Sequence, residues 1–325
     1  MFHLVEPELG RVSGGLRYNH EMADAAQGQI LRHQLPGAWP HPAQRDIAAL
    51  QRLVDEFDRP VLLDGLIGCS LPQPLETNTP VVQLVHALAA TPEEQQREQD
   101  CLQAADEVIT ISHFAAAELQ HRYNITAAVA SPGVETRPLA AGSTGSHFIS
   151  VGAVEPNKNQ LFLLEVLQHL HQWGLRNWHY TVAGPLTDRS YARLVQTRAA
   201  RFPEGSITIA GELDAKGMAE LYDSADLLLL PSRSETFGLV VHEATAAGIP
   251  AIVTAGTGAE EALGGGLALQ LDPTVWATEL RRWLTSTTYR QQLRARARAA
   301  RQALPYGWEH TAKTVLQTLH AVSSR

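Results

Sequence analysis

The chain has 325 residues, a length that suits about two domains, with 44% hydrophobic and 18% charged side chains. That composition excludes a disordered chain. A formal charge of −8, from 26 basic and 34 acidic residues, argues against a general binder of nucleic acid or anionic membrane, because no overall positive field draws the chain to phosphate.

Cys69 and Cys101 are too few for a disulfide scaffold or a structural zinc site. No apolar run reaches the roughly 18 residues of a membrane span. The N-terminus lacks a basic start and carries Glu6 and Glu8, so it does not read as a secretory signal, and a cytoplasmic protein is expected.

In chain order, a first strand precedes RVSGGLRYN (11–19), which leads into a helix. Strands are predicted at 61–63, 81–85, 107–112, 147–152, 179–184, 206–211, 226–231 and 251–254, each β-branched or leucine-rich and most ending in Gly, Pro or Ser. Helices are predicted at 93–105, 160–173, 190–202 and 215–224, with a last one at 308–320. Strand–helix alternation with apolar strands means parallel sheets covered on both faces. The aperiodic stretch SPGVETRPLAAGSTGS (131–146) is the expected boundary. It divides two doubly wound domains, 1–139 and 146–303, with the helix of 306–325 packing back on the first. Ligands of such sheets bind beyond the carboxyl ends of the strands, which puts the ligand in a cleft that the two domains face.

The most informative segment is PSRSETFGLVVHEATAAGIPAIVT (231–254). A polar loop follows Pro231 and a helix starts near Gly238, with Val240, Ala244 and Ala247 as its buried stripe. Gly248 and Pro250 end it. Glu235 lies in the loop and Glu243 about five residues into the helix, about 7–8 Å further along the axis. Between them, the free N–H groups of the helix start favour an anion. Carboxylates bind vicinal hydroxyls, so the pattern suits a nucleoside diphosphate sugar. The plainer reading makes Glu235 a helix N-terminal charge and Glu243 part of a solvated face.

SETFGLVVHEATAAGIPAIVT resembles the donor-binding signature of the retaining glycosyltransferases of family 4, which have the GT-B fold of two Rossmann-like domains. LVHALAATPEEQQREQDCLQAADEVITISHFAAAEL (84–119), SPGVE (131–135), HFISVGAVEPNKNQ (147–160), HYTVAGP (179–185), SITIAGEL (206–213) and LYDSADLLLLPSRSETFG (221–238) follow the family in order, so the resemblance covers about 80–324.

The resemblance implies that Glu235 contacts the donor sugar and Glu243 the ribose. It implies that Phe237, Gly238, Leu239 and Val240 cradle the phosphate with backbone N–H groups, and that the base lies near Glu212 and Leu213. Lys158 matches the lysine that meets the diphosphate; the arginine beside it is replaced by Ala153, with Arg233 and Arg17 as substitutes. Loss of one charged hydrogen bond, about 1.5–3 kcal/mol, is worth about 10- to 100-fold in rate. Gly14 and Gly15 match the family's Gly-Gly loop, where glycine permits positive φ and close backbone approach. His86, after the strand VVQLV, matches a histidine near the donor sugar, whereas His113 reads as a helix-start residue. Glu261, rather than Glu260, fits the register of a further family glutamate. The family's N-terminal domain is longer than 140 residues, and LPGAWP (35–40) follows the first helix so soon that a strand–helix element is expected to be trimmed.

The expectation is a retaining hexosyltransferase using a nucleoside diphosphate sugar, with no cofactor and no divalent metal for its chemistry. The acceptor is a sugar, a lipid headgroup or a small metabolite. Another GT-B sugar-nucleotide enzyme and a catalytically weak sugar-nucleotide-binding subunit are the alternatives; Ala153 favours the latter. Gly256 and Gly258 lack the remainder of a dinucleotide fingerprint. The seven arginines within 281–302 read as a solvated helix face or, less favoured, a contact to anionic lipid or protein.

Overall fold

The computed structural model describes residues 1–11 and 13–324. Its contacts divide into two units: unit 1 is Met1–Gly133 with Pro305–Arg325, and unit 2 is Val134–Leu304. Among the described residues, the strands form two six-stranded sheets, and the pairings are parallel.

Unit 1 runs β1 (Phe2–Pro7), α1 (Gly14–Ala25), β2 (Ile30–Leu35), α2 (Gln44–Asp55), β3 (Val61–Asp64), α3 (Gly65–Gly68), β4 (Val81–Val85), α4 (Pro92–Ala104), β5 (Glu107–Thr110), α5 (His113–Tyr123) and β6 (Ala128–Val129). The sheet order is β2-β1-β3-β4-β5-β6. Val61 and Leu63 alternate on β3 to meet Leu50 and Val54 of α2 on one face. Val85 and Val108 meet Leu102 and Leu119 of α4 and α5 in a second core. β2 and α2 follow α1, joined by a short connection in which buried Trp39 donates to the Leu35 carbonyl at 3.2 Å.

Unit 2 runs β7 (His147–Val151), α6 (Gln160–Gln172), β8 (His179–Ala183), α7 (Arg189–Ala199), β9 (Ile207–Gly211), α8 (Ala215–Ser224), β10 (Leu227–Leu230), α9 (Leu239–Ala246), β11 (Ala251–Thr254), β12 (Leu267–Leu269), α10 (Pro273–Thr285) and α11 (Thr287–Arg301). Its order is β12-β11-β10-β7-β8-β9. The chain starts at a central strand, winds outward one way to β9, then returns to β10 and winds the other way. That reversal makes a switch point between β7 and β10, where ligands of doubly wound sheets bind. In unit 1 the corresponding reversal lies between β1 and β3. The chain then re-enters unit 1 as α12 (Glu309–Ser323). Thr311 donates to the Ser131 carbonyl at 2.6 Å, and Trp308 packs edge-on against Tyr18 of α1.

The segment 134–146, read above as part of the boundary, is bound into unit 2. The Ala140 N–H reaches the Ala247 carbonyl at 2.9 Å and the Gly142 N–H the Asp223 carbonyl at 2.7 Å. Its last residues close on Asp226, whose carboxylate is buried. Asp226 accepts from the N–H groups of Ser143 (3.0 Å), Gly145 (3.1 Å) and His147 (3.0 Å), from the Ser143 hydroxyl and from Arg294. The basic run 281–302 is not one helix, although Arg281, Arg282, Arg296 and Arg298 are exposed, as a solvated face requires. It breaks at Ser286, which caps α11. Arg281 and Arg282 lie over the rings of Trp173 and Tyr289, Arg290 donates to the Trp283 and Leu284 carbonyls, and Arg301 donates to the carbonyls of Ala246 and Arg137. With Arg294, these arginines brace unit 2 itself. No helix among the described residues is long and apolar enough to cross a membrane.

Burial works to raise the Asp226 carboxyl, but Ser143, the backbone N–H groups and Arg294 outweigh it and hold it below the usual carboxylate range. The stability it contributes is therefore present above the ordinary value of 3.8 and lost as pH falls through the lower folded-state value. Asp226→Asn leaves Arg294 without its counter-charge and is expected to cost unit 2 about 3–5 kcal/mol. Urea unfolding followed by the fluorescence of buried Trp276 and Trp283 measures this; a cost below about 1 kcal/mol would contradict the bracing role.

Candidate functional site

At the switch point of unit 2, two loops leave adjacent strand ends, one after β7 (Val151) and one after β10 (Leu230). Asn157 stitches them. Its Nδ2 donates to the Ser234 carbonyl at 3.0 Å, its Oδ1 accepts the Ser234 N–H at 3.1 Å, and its own carbonyl accepts the Arg233 N–H at 2.8 Å. Asn159, in the left-handed region at φ 55°, donates to the Pro231 carbonyl at 3.3 Å. Between these two asparagines, Lys158 is carried across to Glu235, and Nζ and Oε1 are 2.5 Å apart in a half-buried pair. Sequence reasoning singled out Lys158 and Glu235 but missed Asn157 and Asn159. The alternation Asn-Lys-Asn in a polar loop was the available signal.

Glu235 is also fixed from behind. Its carbonyl accepts the Gly258 N–H at 2.7 Å, and a Cβ on Gly258 would lie 2.1 Å from the Thr236 carbonyl oxygen. Gly258 thus serves close approach. Gly256 has φ +77° and its N–H meets the Glu260 carboxylate at 2.5 Å, which makes Glu260 a loop brace; Glu261 is exposed. Ala153, at the expected arginine position, gives its carbonyl to Gln160 at 2.9 Å. Of the two substitutes expected for the missing arginine, Arg233 is exposed and Arg17 lies within α1. Glu212 and Leu213 follow β9; Leu213 is half-buried and precedes α8.

Gly238 caps α9 at φ +87°, a conformation that favours glycine. Being glycine, Gly238 offers no side chain to cap the first backbone N–H groups of the helix, those of Leu239 and Val240. Phe237 is buried, edge-on to His242 at 4.6 Å. The expected stripe of Val240, Ala244 and Ala247 is replaced by burial all round: Val241 through Ala246 are all buried, and Val240 only half. Glu243 is therefore not on a solvated face. It is 3% exposed, and its Oε2 accepts from the Tyr222 hydroxyl at 2.6 Å and lies 3.8 Å from Arg137. Neither partner was anticipated.

In unit 1, a cavity of about 410 Å³ opens at the β1–β3 reversal, lined among others by Arg11, Ser13, Gly15, Asp64, His86 and Arg97. Gly14 and Gly15 do not form a loop with positive φ; they are the first two residues of α1, capped by Ser13. Glycine matters at 15 for proximity, since a Cβ there would lie 3.3 Å from the His86 ring. His86 Nε2 is 2.9 Å from Asn19 Oδ1 and 3.5 Å from Asp64. Asn19 donates its Nδ2 to Asp64 at 2.8 Å, so its Oδ1 faces His86 and the imidazole proton sits on Nε2. His86 Nδ1 is buried without a hydrogen-bond partner among the described residues. His113 starts α5, as expected. No group of three or more His, Cys, Asp or Glu able to hold a metal occurs among the described residues.

Residues 135–300 match the family model described as glycosyl transferases group 1. A D-inositol 3-phosphate glycosyltransferase of Arthrobacter sp. is 28% identical over 80% of this chain; the match spans 66%, just under two thirds, of that relative's length. The Anabaena protein HepE in complex with UDP-glucose superposes with a TM-score of 0.78 at 14% identity, covering 98% of this chain and 99% of that one. A sucrose-phosphate synthase from Thermosynechococcus elongatus gives 0.77 at 18% identity, covering 99% of each. At these identities the two structures speak to the fold, two Rossmann-like α/β domains of the GT-B type.

Burial lowers the His86 imidazole below its ordinary 6.5, against the opposing pull of Asp64 and Glu6. The unfolded chain then binds the proton first, so unit 1 is expected to lose stability as pH drops below about 6.5. His3 and His33 act in the same direction. His86→Asn should reduce this acid slope without abolishing it, read as the urea midpoint of unit 1 between about pH 7 and 5. An unchanged slope would place the His86 titration at its ordinary value.

Proposed function

The chain belongs to the glycosyl transferases group 1 family, and on that premise we propose that it is a retaining family 4 enzyme that moves a hexosyl group from a nucleoside diphosphate sugar to an acceptor hydroxyl. The observation that carries the proposal is the Lys158–Glu235 pair at the switch point of unit 2, beside the start of α9 at Gly238. Glu235 meets the sugar, Lys158 and the N–H groups of Leu239 and Val240 meet the diphosphate, and Glu243 meets the ribose. A carboxylate beside an ammonium is what the junction of a neutral sugar and an anionic phosphate calls for.

As the sugar–phosphate bond breaks, negative charge grows on the diphosphate. Lys158 and the α9 N–H groups stabilise it where it forms, and in this reading the start of α1 at Gly14 and Gly15 assists. A departing phosphate oxygen takes the acceptor's proton while the acceptor oxygen forms the new bond on the same face, which retains the anomeric configuration. His86, with its proton on Nε2, contributes near the sugar from unit 1. No cofactor or divalent ion is needed for this chemistry, and the composition suits a cytoplasmic enzyme.

UDP-glucose bound to the Anabaena protein makes UDP the first nucleotide to test. The name of the Arthrobacter relative supports a small hydroxylated acceptor, for which the unit 1 cavity is large enough. Ala153 favours a second reading, a sugar-nucleotide-binding subunit with little turnover of its own.

Calorimetric titration with UDP, GDP and ADP, without metal, tests the donor site; binding of none would sink the proposal. Glu243→Ala should weaken the best diphosphate by about 1–3 kcal/mol. Glu235→Ala should lower turnover and leave free diphosphate affinity nearly intact. Donor binding with neither transfer nor donor hydrolysis by the purified chain would favour the second reading.

A further inference from the structure

Glu243 is a carboxylate with almost no access to water, held on α9 by a partner from α8 and a partner from the strap at the start of unit 2. Tyr222, itself 2% exposed, gives its hydroxyl to Glu243 Oε2 at 2.6 Å. The Arg137 guanidinium lies over the Tyr222 ring, 4.7 Å from its centroid, and its Nη2 is 3.8 Å from the same oxygen. Arg137 is anchored in turn. Its carbonyl accepts Arg301 Nη2 at 2.6 Å, and Arg301 Nε donates to the Ala246 carbonyl at the end of α9, also at 2.6 Å. The strap, α8, α9 and α11 thus converge on one buried carboxylate.

Taking a carboxylate out of water is costly, and a packed apolar residue of like size is often no less stable. A carboxylate braced on one oxygen from two directions has a fixed plane, and a fixed plane is what recognition of two vicinal hydroxyls requires.

We propose that Tyr222 is a positioning residue for the nucleotide ribose: its hydroxyl, backed by Arg137, sets the plane in which the Glu243 carboxylate meets the 2′- and 3′-hydroxyls. This rests on the reading of Glu243 as the ribose ligand. Tyr222 itself touches no substrate.

The test is a set of calorimetric affinities for the best-binding diphosphate of the UDP, GDP and ADP series and for its 2′,3′-dideoxy counterpart. They are measured on the wild-type chain, Tyr222→Phe, Arg137→Gln and Glu243→Ala. The wild type is expected to prefer the ribose form by about tenfold or more. Tyr222→Phe should weaken the ribose form by about 5- to 20-fold, the scale of one hydrogen bond to a charged group. The dideoxy form should stay within about twofold. Arg137→Gln should move the same ratio in the same direction, and it decides the matter if Tyr222→Phe fails to fold. An equal loss for both ligands makes Tyr222 merely structural and overturns the proposal, as does an unchanged ratio. If no diphosphate binds, if the wild type shows no preference, or if Glu243→Ala keeps it, the ribose reading of Glu243 fails first and the proposal falls with it.

Discussion

Asn157 makes three hydrogen bonds between the loop after β7 and the loop after β10, and the arrangement around Lys158 and Glu235 depends on them. Parallel strands end with their carbonyls and outgoing chain at one edge of the sheet. At the switch point the two outgoing chains turn to opposite faces and leave a crevice. Nothing in sheet pairing fixes the loops across that crevice. A side-chain amide, which offers both a donor and an acceptor, ties backbone to backbone there much as another strand would. Lys158 and Glu235 then meet because each belongs to a loop whose path is set, and Gly258 admits the Glu235 backbone from the other side.

The sheets were legible in the sequence because parallel strands buried on both faces must be apolar runs, and LLLL at 227–230 or VVQLV at 81–85 admit few other readings. Lys158 and Glu235 were singled out through the resemblance to the family's donor motif, whereas their pairing was not foreseen. What escaped was whatever depends on two distant segments meeting. Asp226 reads only as the first residue of the strand expected at 226–231, whereas five groups from 143–147 and α11 close on it. The anchoring of Arg290, Arg294 and Arg301 escaped because periodicity does not show which carbonyl and carboxylate groups lie beneath a helix face. Gly14 and Gly15 suggest a loop with positive φ, whereas α1 begins at Gly14, with Ser13 as its cap, and the absence of a side chain serves His86 instead.

Buried carboxylates recur at the places where the two sheets need a fixed direction. Asp226 closes the strap on unit 2, Glu243 gathers α8 and α9, and Asp64 caps α3 while taking the Asn19 amide beside His86. Each is satisfied by several donors from different segments. A carboxylate has about four lone-pair sites arranged in a plane, so each joins elements that an apolar contact would leave free to slide. Apolar packing fills the interior of each unit, and these few charges set its registration.

Unit 1 is written in two pieces of the chain, with the whole of unit 2 between them. Synthesis therefore completes residues 134–304 before α12 exists. Until α12 arrives, Ser131 lacks Thr311 and Tyr18 lacks Trp308. Domains fold as units during translation, N-terminal parts first, yet here the sheet of unit 1 gains a helix that is made after unit 2. The interval leaves the face of α1 that receives Trp308 without that partner on the nascent chain, so unit 1 gains these contacts only after residues 134–304 have been made.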